Sequence, residues 1–258
     1  MGKHVRFEGV VLNIRPLGES DLLVTIFTKE IGKIKAIAKG AKRSKRRFLN
    51  TLEPFTCIKG DFAPPRNASL YRIDSADIVQ QMDGISASSE RYCLASLVCE
   101  LTDLWSKEED PDKQLYSLLL NTLSCLSKGK SPFRTVLGFK INILKCTGYK
   151  LLLDQCVVCK KEPSVSIYFS ISRGGAVCKA CFKEKEDLIG ISKGCLKCIQ
   201  FLQRSNPANF GRLHLSQALF EEMWNLLAQF HIYYLRKSPS SYKVLADFLN
   251  FKRVKSVT

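Results

Sequence analysis

The spacing of apolar positions changes once along the chain, near residue 85. Upstream of that point it has the period of strands. Val5 to Ile14 is rich in β-branched and apolar residues, and Gly18-Glu19-Ser20-Asp21 then marks a turn. Leu22, Val24 and Ile26 alternate with Leu23, Thr25 and Phe27, so this strand is predicted to be buried on both faces. Glu30-Ile31-Gly32 turns the chain again, and Ile34, Ala36 and Ala38 alternate with Lys33, Lys35, Ile37 and Lys39. Two further strands are expected at Phe55–Asp61 and Ser69–Val79, separated by the breaker Pro64-Pro65. Five short strands in about 75 residues with no long helix predict a small closed barrel. An OB-like barrel suits that size, and an SH3-like barrel fits the same patterning.

Downstream the period is helical. Leu94, Leu97, Val98, Leu101 and Leu104 make one stripe, starting near Ser88-Ser89-Glu90. Leu115, Leu118, Leu119, Leu123 and Leu126 make a second, starting near Pro111-Asp112. Phe133, Val136, Leu137, Ile141 and Leu144 make a third, which should end near Gly148. Leu215, Leu219, Met223, Leu226, Leu227, Phe230 and Tyr234 mark a long helix, and Tyr242–Phe251 a last short one. Stripes this wide read as packed core. The expected fold class is therefore α+β multidomain: an OB-fold β-barrel domain over 1–80 and a helical domain over 81–258.

The 11 cysteines add a metal to that plan. Their number is odd, and the N-terminal residues lack the apolar core of an export signal, so a reducing cytoplasmic setting is expected. Cys156, Cys159, Cys178 and Cys181 have the spacing C-x2-C-x18-C-x2-C. Each pair puts two thiolates on one tight turn, and two such turns supply four soft ligands for one structural Zn2+. Val165–Ile171 is β-rich and Arg173-Gly174-Gly175 is turn-like, which predicts a zinc-ribbon-like insertion over 152–190. Four protein ligands leave no open position for water, so catalytic zinc is not expected. Cys195 and Cys198 form a third pair on a helical stretch after Ser192, an alternative to one of the other pairs. Cys57, Cys93, Cys99, Cys125 and Cys146 fall on apolar faces and read as small buried hydrophobes.

Charge points to the partner. The net charge is +16 and the sequence pI is near 9.4, which favours a polyanion. Residues 1–80 carry 15 basic against 8 acidic side chains, residues 81–150 carry 9 against 8, and residues 151–258 carry 16 against 8. The densest run is Lys33, Lys35, Lys39, Lys42, Arg43, Lys45, Arg46 and Arg47, with no acid between Ile31 and Leu52. Lys33, Lys35 and Lys39 share one strand parity, and Lys42–Arg47 continues as a loop able to follow a phosphate backbone. Phe7, Phe27, Phe48 and Tyr71 are candidate stacking partners for bases, although strand aromatics more often fill a core. A merely solvated basic face is the blander alternative. Glu108-Glu109-Asp110 reads as a solvated turn at a helix end. His4, His214 and His231 stand apart from one another, and no Walker A, GxGxxG or HExxH pattern occurs, so no enzyme is signposted. No apolar run reaches the ~20 residues of a membrane span, and no membrane or small-molecule substrate is expected.

Four segments in this order carry a resemblance: Gly9 to Asp21, Phe27 to Lys33, Ala38-Lys39-Gly40-Ala41-Lys42-Arg43, and Leu52-Glu53-Pro54-Phe55. They are similar to the opening of RecO proteins. The order of barrel, helical domain and inserted CxxC…CxxC module matches as well. The resemblance implies an N-terminal OB domain and a helical C-terminal domain carrying zinc. It implies binding of single- and double-stranded DNA and annealing of complementary strands. It also implies contacts with RecR and with the C-terminal tail of single-strand-binding protein, and RecA loading without ATP hydrolysis at the bacterial nucleoid. Carried onto this chain, Lys33–Arg47 would contact DNA and Cys156, Cys159, Cys178 and Cys181 would hold zinc. An RNA-binding zinc-ribbon protein of ribosome assembly or translation would share the charge and the cysteines. A zinc-dependent nuclease would instead require an open metal position.

Overall fold

The computed structural model describes residues 5–44, 46–48, 50–63, 70–129, 131–163, 166–183 and 187–249. Pro64-Pro65 and Val165, read above as a strand breaker and the start of a strand, lie outside the described residues, as do His4 and Lys45. The chain divides into two compact units, residues 1–129 and 130–258. The strands stop at Gln80, but the next helices pack into the same unit as the barrel.

The first unit opens with five strands: β1 (Val5–Leu17), β2 (Asp21–Thr28), β3 (Gly32–Ala38), β4 (Cys57–Ala63) and β5 (Tyr71–Gln80). They close in the order β1-β2-β3-β5-β4, with β3 and β5 parallel and the other pairs antiparallel. This is the expected OB-like closure, and it leaves no edge strand. Alternation sets the inner face: Ile34, Ala36 and Ala38 of β3 point into a core with Val24, Ile26, Ile58 and Ile73. Phe7 stacks on Phe62 at 4.5 Å between ring centroids, and Tyr71 meets Phe62 edge-on at 5.0 Å. Val10, Val11 and Leu12 are consecutive and all buried, so β1 is covered on both faces.

Its outer cover is helical. A short turn of helix, α1 (Asp83–Ser86), precedes α2 (Ser89–Trp105) and α3 (Lys113–Ser127). Ser88 caps α2 by accepting from the Arg91 N–H, and Asp112 caps α3 by accepting from Gln114 and Leu115. Both are the starts that the sequence marks. From α3, the Tyr116 hydroxyl donates to Glu8 Oε1 at 3.1 Å and lies 3.6 Å from Cys57 Sγ.

The second unit is built on α4 (Pro132–Cys146), whose residues from Thr135 to Leu144 are all buried. After the four-cysteine module come α5 (Lys193–Arg204), α6 (Gln217–Leu235) and α7 (Ser241–Leu249). Gly138 on α4 lets the chain approach closely: a Cβ there would lie 2.2 Å from the Phe210 ring. Lys140 is also wholly buried, beyond anything its sequence context signals. Its ammonium donates to the Trp224 carbonyl at 3.2 Å and sits 4.0 Å over the Trp224 ring centroid and 5.1 Å from that of Tyr242. Burial holds its pKa well below the usual lysine value. His231, equally buried, places Nε2 3.1 Å from the Lys140 carbonyl. Burial first, and then the Lys140 charge, lower its pKa to about 3.

Candidate nucleic-acid interface and metal centre

The basic run divides into two groups. On β3 the even positions fill the barrel, so Lys33 and Lys35 point outward. There they meet the end of α2 and the turn that follows it. Lys33 Nζ lies 3.1 Å from Asp103 Oδ1 and also donates to the Asp103 carbonyl, with its side chain only 11% exposed. Lys35 donates to Glu108, whose carboxyl is held below its ordinary pKa chiefly by that hydrogen bond. The Glu109 N–H donates to the Lys33 carbonyl at 2.9 Å, and the Tyr71 hydroxyl donates to Glu109 Oε1 at 2.8 Å. Burial, and then Glu109, push the Tyr71 phenol up to about 12, so it stays a proton donor. Glu108-Glu109-Asp110 is thus a strap across β3 rather than a turn loose in solvent. The sequence carries no sign of it, because its side-chain pairs join residues 73 and 38 positions apart.

Lys39, Lys42, Arg43, Arg46 and Arg47 are all exposed. They lie on a loop that the barrel fixes from both sides. Asp21 Oδ1 accepts from the Gly40 N–H at 2.8 Å, where Gly40 takes a left-handed φ of 66°. That bond, more than the Ser20 hydroxyl, lowers the Asp21 pKa. Ala41–Arg43 forms one 3-10 turn, with the Lys42 N–H on the Ser20 carbonyl at 3.0 Å and its ammonium on the Gly18 carbonyl at 2.8 Å. Arg47 Nη2 donates to the Lys39 carbonyl at 2.9 Å, while the next residue, Phe48, is buried in the barrel core. Arg43 approaches Glu19 at 3.8 Å, but both side chains are largely exposed, so that pair is loose. Lys42 and Arg47 are held by backbone carbonyls, which leave their charge uncancelled.

No aromatic side chain of the barrel accompanies them at the surface. Residues 1–80 contain six, and Phe7, Phe27, Phe48, Phe55, Phe62 and Tyr71 are each at most 9% exposed. Phe7, Phe27, Phe48 and Tyr71, candidates for stacking with bases, are all interior.

The four-cysteine module forms around a second sheet in the order β7-β6-β8: β6 (Ile167–Ser170), β7 (Gly175–Cys178) and β8 (Leu188–Ile191). Cys156 and Cys159 lie on a turn that closes through the Cys156 N–H to the Lys161 carbonyl, with Lys160 in the left-handed region at φ 64°. Cys178 ends β7, and a 3-10 turn over Lys179–Cys181 brings Cys181 round. The four Sγ atoms lie within 4.8 Å of one another, and Cys159 and Cys178 are 3.7 Å apart. A tetrahedron with metal–sulfur bonds of ~2.3 Å has edges of about 3.8 Å, so the set fits one tetrahedral ion. Burial alone would raise the Cys156 thiol. The Cys159, Cys178 and Val158 N–H groups outweigh it and bring the pKa down to about 6. Cys181, hydrogen-bonded first to Cys159 and Cys178, is pushed up to about 12. Cys195, buried on α5, and its neighbour Cys198 stand outside this group. Of the cysteines expected to be buried apolar fillers, Cys57 and Cys99 are buried, while Cys93, Cys125 and Cys146 are half-buried.

Two family models match the chain. The model described as "Recombination protein O N terminal" covers residues 1–82, and "Recombination protein O C terminal" covers residues 87–243. Among curated proteins, the DNA repair protein RecO of Syntrophus aciditrophicus is 34% identical over 244 residues, which span 93% of this chain and 94% of that protein. The DNA repair protein RecO of Clostridium perfringens is 31% identical over 238 residues, 92% of this chain and 95% of its own length. That of Caldanaerobacter subterraneus is 29% identical over 229 residues, 88% of this chain and 92% of its own.

Proposed function

The chain belongs to the RecO family and so has a role in DNA repair and recombination; from that premise we propose that it is a non-catalytic mediator that grips DNA by its phosphates and anneals complementary strands. The observation that carries this reading is the loop of exposed cations, Lys39, Lys42, Arg43, Arg46 and Arg47, beside a barrel whose aromatic residues are all interior. Cations neutralise backbone charge and release counterions whether the DNA has one strand or two. Base stacking, the other means of holding a single strand, needs exposed aromatic faces. A strand held only by its phosphates keeps its bases free to pair. Two strands brought to such a surface repel each other less, and Watson–Crick pairing supplies the sequence specificity.

In this reading residues 1–80 are the DNA-binding domain and 81–258 the helical domain. Lys45 belongs to the same run but lies outside the described residues. Lys33 and Lys35 are engaged by carboxylates of their own unit. Cys156, Cys159, Cys178 and Cys181 would hold one Zn2+, which would cross-link the 152–190 segment and leave no position for a reacting water. RecR and the C-terminal tail of single-strand-binding protein are the proposed partners, with RecA loaded onto the coated strand in the cytoplasm. Among the described residues no helix is long and apolar enough to cross a membrane.

The test is annealing of two complementary oligonucleotides precoated with single-strand-binding protein, without nucleotide. The wild type should anneal them, and the variant with Lys42, Arg43, Arg46 and Arg47 changed to Ala should fail while still folded. Failure of both would remove the mediator role. Success of both would move the DNA site away from this loop.

A further inference from the structure

The acidic strap has a function that follows from what it covers. We propose that Glu108 sets one edge of the DNA track, by taking Lys35 out of reach of phosphate. The inference rests on the phosphate-gripping barrel proposed above and adds what bounds it.

The strap is docked as a fixed part of the unit. Its backbone pairs with β3 through a parallel bridge between Lys33 and Glu108. Asp110 passes so close to Gly32 that a Cβ there would lie 2.3 Å from its carbonyl oxygen, and Gly32 has φ +85°. Tyr71, from the strand beside β3, holds Glu109. The strap's electrostatic result is specific: along one strand and loop, Lys33 and Lys35 are paired with carboxylates, while Lys39, Lys42, Arg46 and Arg47 are exposed and Arg43 has only the loose, exposed contact with Glu19. The Lys35–Glu108 pair is half exposed on each side, 45% and 50%, so Lys35 would be available to a phosphate if its carboxylate were removed. Lys33 is already covered, its side chain only 11% exposed. A phosphate approaching β3 also meets the negative charge of Glu108 itself, which repels it. The strap therefore subtracts one accessible cation and adds one anion at the same place.

The test uses the full chain and a single-stranded oligonucleotide, with dissociation constants measured across a range of salt concentrations. Three variants are compared with wild type: Glu108→Gln, Lys35→Ala, and the two together. Glu108→Gln should bind several-fold more tightly at low salt, and its log–log salt slope should steepen by ~0.7, the value for one added phosphate contact on a single strand. Lys35→Ala alone should leave the salt slope unchanged, with at most a small loss of affinity from the Glu108 charge it uncovers. In the double variant the steepened slope should return to the wild-type value. A Lys35→Ala variant whose salt slope by itself flattens by ~0.7 overturns the proposal, because Lys35 would then already be on the track. A Glu108→Gln variant with unchanged affinity and slope overturns it too. Thermal unfolding of each variant checks the fold, and Glu108→Ala gives the same reading if the amide disturbs the turn. A fourth variant, Lys39→Ala with Lys42→Ala, separates the two claims. If it binds like wild type, the barrel site itself is wrong. If it loses affinity while Glu108→Gln changes nothing, only the role of the strap is wrong.

Discussion

The barrel and the four-cysteine module are both small β structures, and they are held together by different means. The barrel closes five strands around stacked and edge-on aromatic rings, with Val24, Ile26, Ile34 and Ile58 fully or almost fully buried. The module has three strands of four residues each, and Phe169, its fully buried ring among the described residues, rests on Phe230 of α6 at 5.9 Å. A sheet that short has too little core to order its own turns. Its four thiols converge where a metal would join those turns. Where a core is sufficient, polar side chains are released to the surface for binding. Where it is not, they are drawn inward as ligands. The barrel accordingly presents exposed Lys39, Lys42, Arg43, Arg46 and Arg47, while the module commits its reactive side chains to itself.

That contrast can be broken most forcefully by removing the metal. Cys159→Ser or Cys178→Ser should abolish a stoichiometric zinc signal in elemental analysis. Stability of the second unit should fall by several kcal/mol, a fraction of the ~10–16 kcal/mol that structural zinc contributes in small peptides. Hydrogen exchange should speed up at Phe169 and Val177 and stay slow at Val24 and Ile34 of the barrel. Equal loss of protection in both places would mean that the barrel does not stand on its own core.

The converse experiment strips the barrel. Changing Lys39, Lys42, Arg43 and Arg47 to Ala should weaken DNA binding by roughly 10- to 100-fold at low salt and flatten the salt slope by ~0.7 per lost contact. Metal content and thermal stability should not move. A loss of zinc in this variant would contradict the division of labour.

Acid should distinguish the units more gently. His231 has a folded pKa of about 3, below its ordinary 6.5, because burial disfavours the charged ring. A base whose pKa is depressed on folding contributes stability that is fully present above its unfolded pKa and is lost as pH falls from there toward the folded value. The second unit should therefore lose stability from this group as pH falls from roughly 6.5 toward 3. His231→Gln, compared with wild type by denaturant titration at several pH values, should show a shallower slope in that window. Parallel slopes would mean that the imidazole takes up its proton as readily in the fold as in the unfolded chain.

The strands and helix starts were legible because they are local. The period-2 alternation of Ile34, Ala36 and Ala38 gave the inner face of β3, and Ser88 and Asp112 are observed as caps where they were expected. The cysteine set was legible for the same reason, since each CxxC pair is one turn. What the sequence hid was pairing across distance. Lys33 and Lys35 read as part of a DNA-facing run until Asp103 and Glu108 are seen against them. Phe7, Phe27, Phe48 and Tyr71 offer the same residue types to a stacking surface and to a core; closure of the barrel encloses Phe7, Phe48 and Tyr71, and Phe27 is buried outside that cluster. Lys140 on the buried face of α4 breaks the apolar pattern, and two aromatic rings and a carbonyl accommodate it.

The claim on which the rest depends is that the grip is on phosphates and not on bases. The most direct measurement compares the affinity of the full chain for a single strand and for a strand of equal length whose sites are all abasic, over a range of salt. Equal affinities and equal salt slopes are expected, since both strands offer the same backbone charge. A loss of ~1–3 kcal/mol for each base removed would be the signature of stacking and would contradict the account.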